Sequence, residues 1–346
     1  MSHANLVDMV DMVDLTVSLR LPGAPDDESV IALAKAAAAG GVGVAVVGVE
    51  GLSLIDGPAM SAAVMAMRAA RAVGVRLIPA ICPIRTDGAL ADLRAAEKAW
   101  RDSHESEADV VTAVWRLIEP TDDALMLRRI GDLARARGAI VVVPSVDRSL
   151  STGAVAVEGA VATRLGLAAM PEAAEAIGVS RIIEVARLTG ARFVVSGVFT
   201  AAGAALIEQH AAIGVSGVVN AANLLCDEGA LLRRPYDTRL LQAPPLSTSA
   251  SRLALLAAVK RGALLVSSGH RHVPKRERDL EMTRATPGGT ALASTAALLG
   301  RVLTAAEFLQ AGCVGPAALL GCTPTARVLL PAVDDDLSIL VRELSA

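Results

Sequence analysis

Eight short runs rich in β-branched residues recur along this chain, and Ala- and Leu-rich stretches of helical length separate them. The runs are Val10–Leu19, Gly43–Val49, Arg76–Cys82, Asp109–Leu117, Ala139–Val146, Arg192–Phe199, Val215–Val219 and Ala263–Ser268. Between them lie Asp27–Ala39, Pro58–Val73, Gly88–Asp102, Thr121–Arg137, Pro171–Leu188, Ala201–Ile213 and Ser249–Arg261. Gly74, Gly138, Gly190 and Gly262 stand where helices of this kind end. The strand runs are continuously apolar, as in a sheet buried on both faces. Strand–helix alternation predicts a parallel α/β sheet, and eight strands are the number that closes a (β/α)8 TIM-type barrel. An open doubly wound sheet is the other arrangement. No G-x-G-x-x-G follows the first strand and no Walker A motif occurs, so nothing supports nucleotide binding. Two further helices are expected, near Thr290–Val302 and Thr304–Leu320.

Composition excludes several partners. Aromatic residues are only 2% of the chain, which leaves almost nothing for bases to stack on. Thirty-three basic residues against thirty-six acidic ones create no field that would recruit nucleic acid or an anionic membrane. The longest uncharged apolar stretch, Ala36–Val49, is too short to span a bilayer and is broken by glycine. Cys82, Cys226, Cys313 and Cys322 form no C-x-x-C pair, which suits reduced thiols, and no signal-like leader opens the chain. The expectation is a cytoplasmic protein without nucleic-acid or membrane partners, in which Cys82 and Cys226 are buried small hydrophobes.

In a barrel the chemistry gathers where strands end. Those ends offer Thr16, Ser18 and Arg20, then Gly48 and Glu50, Cys82, Arg116, Pro144, Ser145 and Asp147. The later strands offer Gly197 and Thr200, Asn220 and Asn223, and Gly269, His270 and His272. Imidazoles and carboxylates are scarce in that set.

Several motifs fall in a telling order: Arg164-Leu-Gly-Leu167, Pro171-Glu-Ala-Ala-Glu-Ala176, Thr189-Gly-Ala-Arg192, Thr200-Ala-Ala-Gly203, Tyr236-Asp-Thr238 and Pro244-Pro-Leu246. Asp14–Gly23 resembles the opening D-x-H-x-H-x-R-x-P-G of the dihydroorotases, and Pro287-Gly-Gly-Thr-Ala-Leu292 resembles their P-G-x-x-T-A-L. The match runs from about residue 10 to about 322. The resemblance implies an amidohydrolase-superfamily barrel, zinc, and hydrolysis of a cyclic amide.

The resemblance also maps the family's metal ligands and catalytic base onto Thr16, Ser18, Arg116, Pro144, Gly197, Ala222 and Gly269. Two substrate-contact Asn positions become Glu50 and Ala243. Hydroxyls are poor zinc ligands, Gly, Ala and Pro offer no side-chain donor, and Arg116 places a cation where metal charge belongs. The expectation is therefore that no cofactor is bound and the family's zinc is lost. Arg20, which matches the family's carboxylate clamp, is a candidate for residual anion binding, or else a surface arginine. Glu50, His270 and His272 are the other candidates. The basic run His270–Arg278 reads as a solvated loop, or as a docking site for an acidic partner.

Domain expectations are a lead-in over 1–9, a barrel over 10–322 and a tail over 323–346. The tail has two strand-like runs, Arg327–Leu330 and Leu337–Val341, left from a β-sandwich that is absent or much reduced. Three functions follow. The first is a noncatalytic dihydroorotase-like partner of the aspartate carbamoyltransferase catalytic chain, in an oligomer of pyrimidine biosynthesis. The second is an active hydrolase with a relocated site built from Arg20, Glu50, Asp147, His270 and His272. The third is a sensor of small anions centred on Arg20.

Overall fold

The computed structural model describes residues 11–20, 27–50, 65–85, 87–102, 111–323 and 335–345. The lead-in 1–9, Pro22-Gly23 of the opening motif, the start of the Pro58–Val73 stretch and Arg327–Leu330 lie outside them.

All eight strand runs contain a strand: β1 (Met12–Arg20), β2 (Val42–Glu50), β3 (Arg76–Pro79), β4 (Val114–Arg116), β5 (Ile140–Pro144), β6 (Arg192–Ser196), β7 (Val215–Asn220) and β8 (Leu265–Ser267). Every residue of β2 and all but the last of β1 are buried, which explains why these sequences run apolar instead of alternating. The strands pair in parallel in two ladders, β1-β2-β3 and β4-β5-β6-β7-β8. Single bridges span both seams. Ile81 pairs with Trp115, its N–H reaching Val114 O (2.9 Å), and Ser18 pairs with Arg271, its N–H reaching His270 O (2.9 Å).

Helices α1 (Val30–Ala39), α2 (Leu93–Asp102), α3 (Ala124–Arg137), α4 (Ala173–Thr189), α5 (Ala201–Gln209) and α6 (Ser249–Lys260) connect the strands. Ser29, Asp123, Thr200 and Thr248 each accept a backbone N–H at a helix start. The four glycines predicted to end helices all take positive φ. Helices α3 to α6 pack side by side outside the second ladder. One cluster of buried apolar side chains runs from Met12 to Val341, and Val157, Met170, Ala174 and Phe199 form a small second one.

Three expectations change on folding. Leu337–Val341 is not strand-like but lies within α7 (Asp336–Ser345), which buries Leu337, Leu340 and Val341. Its start is tied down by Asp335, which accepts from Ser294 N and Oγ (3.0 and 2.7 Å), and by Asp336, which accepts from Thr290 N (2.9 Å). The Thr304–Leu320 stretch is helical but widens into a π-turn over Leu309–Val314. Pro316 follows it, and its ring cannot sit over the carbonyl four residues back in a regular α-helix. The Thr290–Val302 stretch is a 3₁₀ turn running into a short helix, Thr295–Leu299. No helix among the described residues is long and apolar enough to cross a membrane.

Candidate functional site

The strand ends surround a cavity of about 500 Å³. Six of the seven positions singled out from the sequence line it: Thr16, Ser18, Arg116, Pro144, Gly197 and Gly269. The seventh, Ala222, is buried in the short helix after β7. Glu50, Ser145, Asn220 and His270 join the lining. Arg20 and His272 are not among the lining residues; Arg20 is ion-paired with Glu277 instead.

Arg116 occupies the floor, only 8% exposed. Its Nη1 donates to Val17 O (2.5 Å), and its Nη2 donates to Thr16 O (3.1 Å) and Ser18 Oγ (2.9 Å), all on β1. Gly48 makes room for it, since a Cβ there would stand 2.8 Å from Arg116 Nη1. Burial lowers the Arg116 pKa to about 10, against the pull of Glu50 and Asp14, so the guanidinium stays charged at neutral pH. Glu50 does not pair with it. Its two oxygens are held by Arg271 Nε (2.7 Å) and Nη2 (3.1 Å).

Beside Arg116, Asp14 is fully buried and accepts three hydrogen bonds: from Thr16 N (3.0 Å), Ser267 Oγ (2.5 Å) and Ser268 N (2.9 Å). Since Ser267 gives its proton to Asp14, the 2.5 Å contact between Ser267 Oγ and Thr16 Oγ1 is a donation by Thr16. This network laces β1 to β8. Asp14→Ala leaves three buried donors unpaired, and a loss of about 3 kcal/mol or more is expected. Urea midpoints measure it, and an unchanged midpoint means that the network does not form.

Two backbone features decide what the site can hold. Gly269 has φ +69°, and a Cβ there would sit 2.7–2.9 Å from Cγ, Cβ and Nδ2 of Asn220. Gly197 has φ +71°, and its Cβ would sit 2.6 Å from Cδ of Pro244. Neither position accepts a side chain without displacing its neighbour.

His270 is structural. Its Nε2 lies 2.9 Å from Glu28 Oε2, and its Nδ1 accepts the Ala291 N–H (3.2 Å). Burial alone would lower its pKa, but Glu28, with Asp14 and Asp335, outweighs burial and draws it up. The neutral tautomer with the proton on Nε2 satisfies both contacts. Asp147 caps the turn Arg148–Ser151 and pairs with Arg181 (2.5 Å). Burial opposes this pairing, yet Arg181 and Ser149 hold the carboxyl at about 2. The set Arg20, Glu50, Asp147, His270 and His272 is thus not brought together; only Glu50 and His270 reach the cavity.

The run His270–Arg278 is not simply a solvated loop. Arg271 pairs with Glu50, Arg276 with Asp27 (2.6 Å) and Arg278 with Asp336 (2.8 Å), so its charges are used within the molecule. Cys226 is buried as expected, while Cys82 is only half-buried and donates to Ile84 O (3.1 Å).

The sequence reading passed over Asp14 and Glu175. The signal was there in both cases: an acidic residue within an otherwise apolar strand or helix face is retained only where donors satisfy it.

Comparison with known proteins follows the same lines. A dihydroorotase of Anaeromyxobacter dehalogenans is 31% identical over 317 residues, covering 89% of this chain and 71% of its own length. The chain belongs to the dihydroorotase family. Its family relatives include a dihydroorotase of Pelotomaculum thermopropionicum, 28% identical over 96% of this chain and 77% of the relative. A "dihydroorotase-like protein" of Pseudomonas putida is 29% identical over 93% of this chain and 73% of that protein. No family model matches. Among solved structures, the L-hydantoinase (dihydropyrimidinase) of Arthrobacter aurescens superposes with a TM-score of 0.71 at 15% identity, covering 94% of this chain and 74% of its own. The D-hydantoinase of Thermus sp. gives 0.69 at 17%, covering 94% and 74%. At these identities the likeness is one of fold: parallel α/β sheets of the hydantoinase barrel type.

Family membership corrects one expectation. The sequence reading expected no cofactor, but dihydroorotases and hydantoinases are zinc metalloenzymes, so zinc is the cofactor that membership in this dihydroorotase family implies. The residues at the family's ligand positions do not fit that ion. Thr16 and Ser18 offer only neutral hydroxyls, poor zinc ligands, with the Ser18 oxygen already accepting from the Arg116 cation, and Pro144, Gly197 and Ala222 have no side-chain donor. Among the described residues no group of three or more His, Cys, Asp and Glu is placed to hold a metal.

Proposed function

We propose that this chain is a dihydroorotase-family scaffold that does not hydrolyse dihydroorotate and acts as an assembly partner of the aspartate carbamoyltransferase catalytic chain. Its eight strands are read as one closed (β/α)8 barrel spanning about residues 10–322. The observation that carries the reading is Gly269. The resemblance puts the family's catalytic Asp at this position, and here the backbone and Asn220 leave no space for a side chain. A positioned base contributes roughly 10²–10⁴-fold to a rate, so its absence removes the chemistry independently of the metal. The preserved scaffold around that position supports a structural role.

Co-expression with the transferase tests the partnership. The two chains are expected to co-elute as a large oligomer, and the transferase is expected to lose its assembly without this one. A transferase fully assembled and active alone sinks the proposal. The open cavity favours the competing reading, an active cyclic-amide hydrolase with a relocated site, and clear turnover of dihydroorotate by the purified chain would establish it.

A further inference from the structure

Among the described residues, Arg116 is a buried guanidinium without a direct counter-ion. Its three hydrogen bonds all go to neutral oxygens on β1, its Nε has no partner, and among the described residues no carboxylate lies within ion-pair distance. The nearest acids are spoken for: Glu50 is gripped at both oxygens by Arg271, and Asp14 by three donors. A buried charge left in this condition is costly, and an anion placed against it recovers much of that cost.

The cavity above Arg116 has the size of a small-molecule site, and its volume of about 500 Å³ falls within the usual range. Its lining is mixed, with a rigid apolar part made by Pro120, Pro144, Val146, Met170, Pro244 and Pro245 beside polar groups such as Ser145 and Asn220. Arg148 and Glu119, both exposed, stand at the rim and leave the approach without a net charge of their own, so Arg116 is the charge that selects. A bare inorganic oxyanion would leave the proline-lined part wet, whereas an organic acid with a compact apolar body would cover it.

We infer that this cavity binds a small organic carboxylate, its charged end on Arg116 and its apolar body between the proline-lined walls. The charged end is not held at Arg20, whose guanidinium is taken by Glu277. The site is independent of any assembly role, so either can fail without the other.

Calorimetric titration and thermal shift at low ionic strength test it, with benzoate, succinate and inorganic phosphate as probes. Benzoate at millimolar concentration is expected to bind one per chain and to raise the melting temperature of the wild-type protein. Arg116→Gln is expected to weaken binding at least about tenfold. Ala154→Trp, at a half-buried position of the cavity wall, is expected to abolish binding by filling the space, and it serves if the Arg116 variant does not fold. No binding to the wild type, undiminished binding in either folded variant, or phosphate binding as well as benzoate would each overturn the assignment.

Discussion

Gly269→Asp, which returns a carboxylate to the end of β8, is expected to leave dihydroorotate unhydrolysed and to destabilise the protein. Aspartate tolerates a left-handed φ better than most residues, so the +69° at this position is a minor obstacle. The larger one is Asn220, whose Cβ would stand 2.8 Å from the new Cβ. That Asn220 atom is bonded directly to the main chain and cannot swing aside, and its amide is held by Ala243 O (3.3 Å). Overpacking of this kind costs about 1–3 kcal/mol. Gly197→His meets the same difficulty against the rigid ring of Pro244. Assay with and without added zinc, beside urea denaturation of each variant, checks both parts. Turnover gained from Gly269→Asp alone would mean that the base position is open after all, and the noncatalytic reading would fall.

Glu175 is expected to make the fold less stable as pH rises from about 4.5 to about 7. It stands in the first turn of α4, fully buried, and receives the N–H groups of Phe199 (2.8 Å) and Thr200 (2.7 Å) and the hydroxyl of Thr200 (2.5 Å). Burial pushes its carboxyl up to about 7, and these bonds offset only part of that. The unfolded chain releases the same proton near 4.5. Below that pH both states hold the proton and the stabilisation is complete. Between 4.5 and about 7 the unfolded state binds fewer protons than the folded one, so stability falls, by about 3 kcal/mol across the window. Glu175→Gln is expected to flatten this slope. Equal slopes for the two proteins in urea titrations at pH 5 and pH 8 would refute the assignment.

The strands were legible because burial on both faces makes them continuous apolar runs, and the helix ends because their glycines and capping hydroxyls act locally. Leu337–Val341 misled because its apolar residues are too few to separate a strand from one side of a helix. What settles α7 is distant: Thr290 and Ser294 cap it through Asp335 and Asp336. The basic run His270–Arg278 misled for a similar reason, since its acidic partners Asp27, Glu50 and Asp336 lie far off in sequence. At the site, six of the positions picked out by motif order line one cavity. Motif order could not reveal that Gly197 and Gly269 are locked by Pro244 and Asn220, because close approach between loops leaves no local signature.

The junctions between the two ladders mark a natural line of division. Among the described residues the ladders of the eight strands lie within β1–β3 or within β4–β8, and the two groups are joined by single bridges and by side chains: the Asp14–Ser267 lacing, the Arg116 bonds to β1 and the Arg271–Glu50 pair. Opening the chain between Asp102 and Val111 would therefore interrupt no ladder. The two fragments would each keep their own sheet and would meet along edges whose partners are already specified: Ile81 with Trp115, and Ser18 with Arg271. The same architecture suits reconstitution from two separately made pieces, and it lets an insertion at that point leave the strand ends undisturbed.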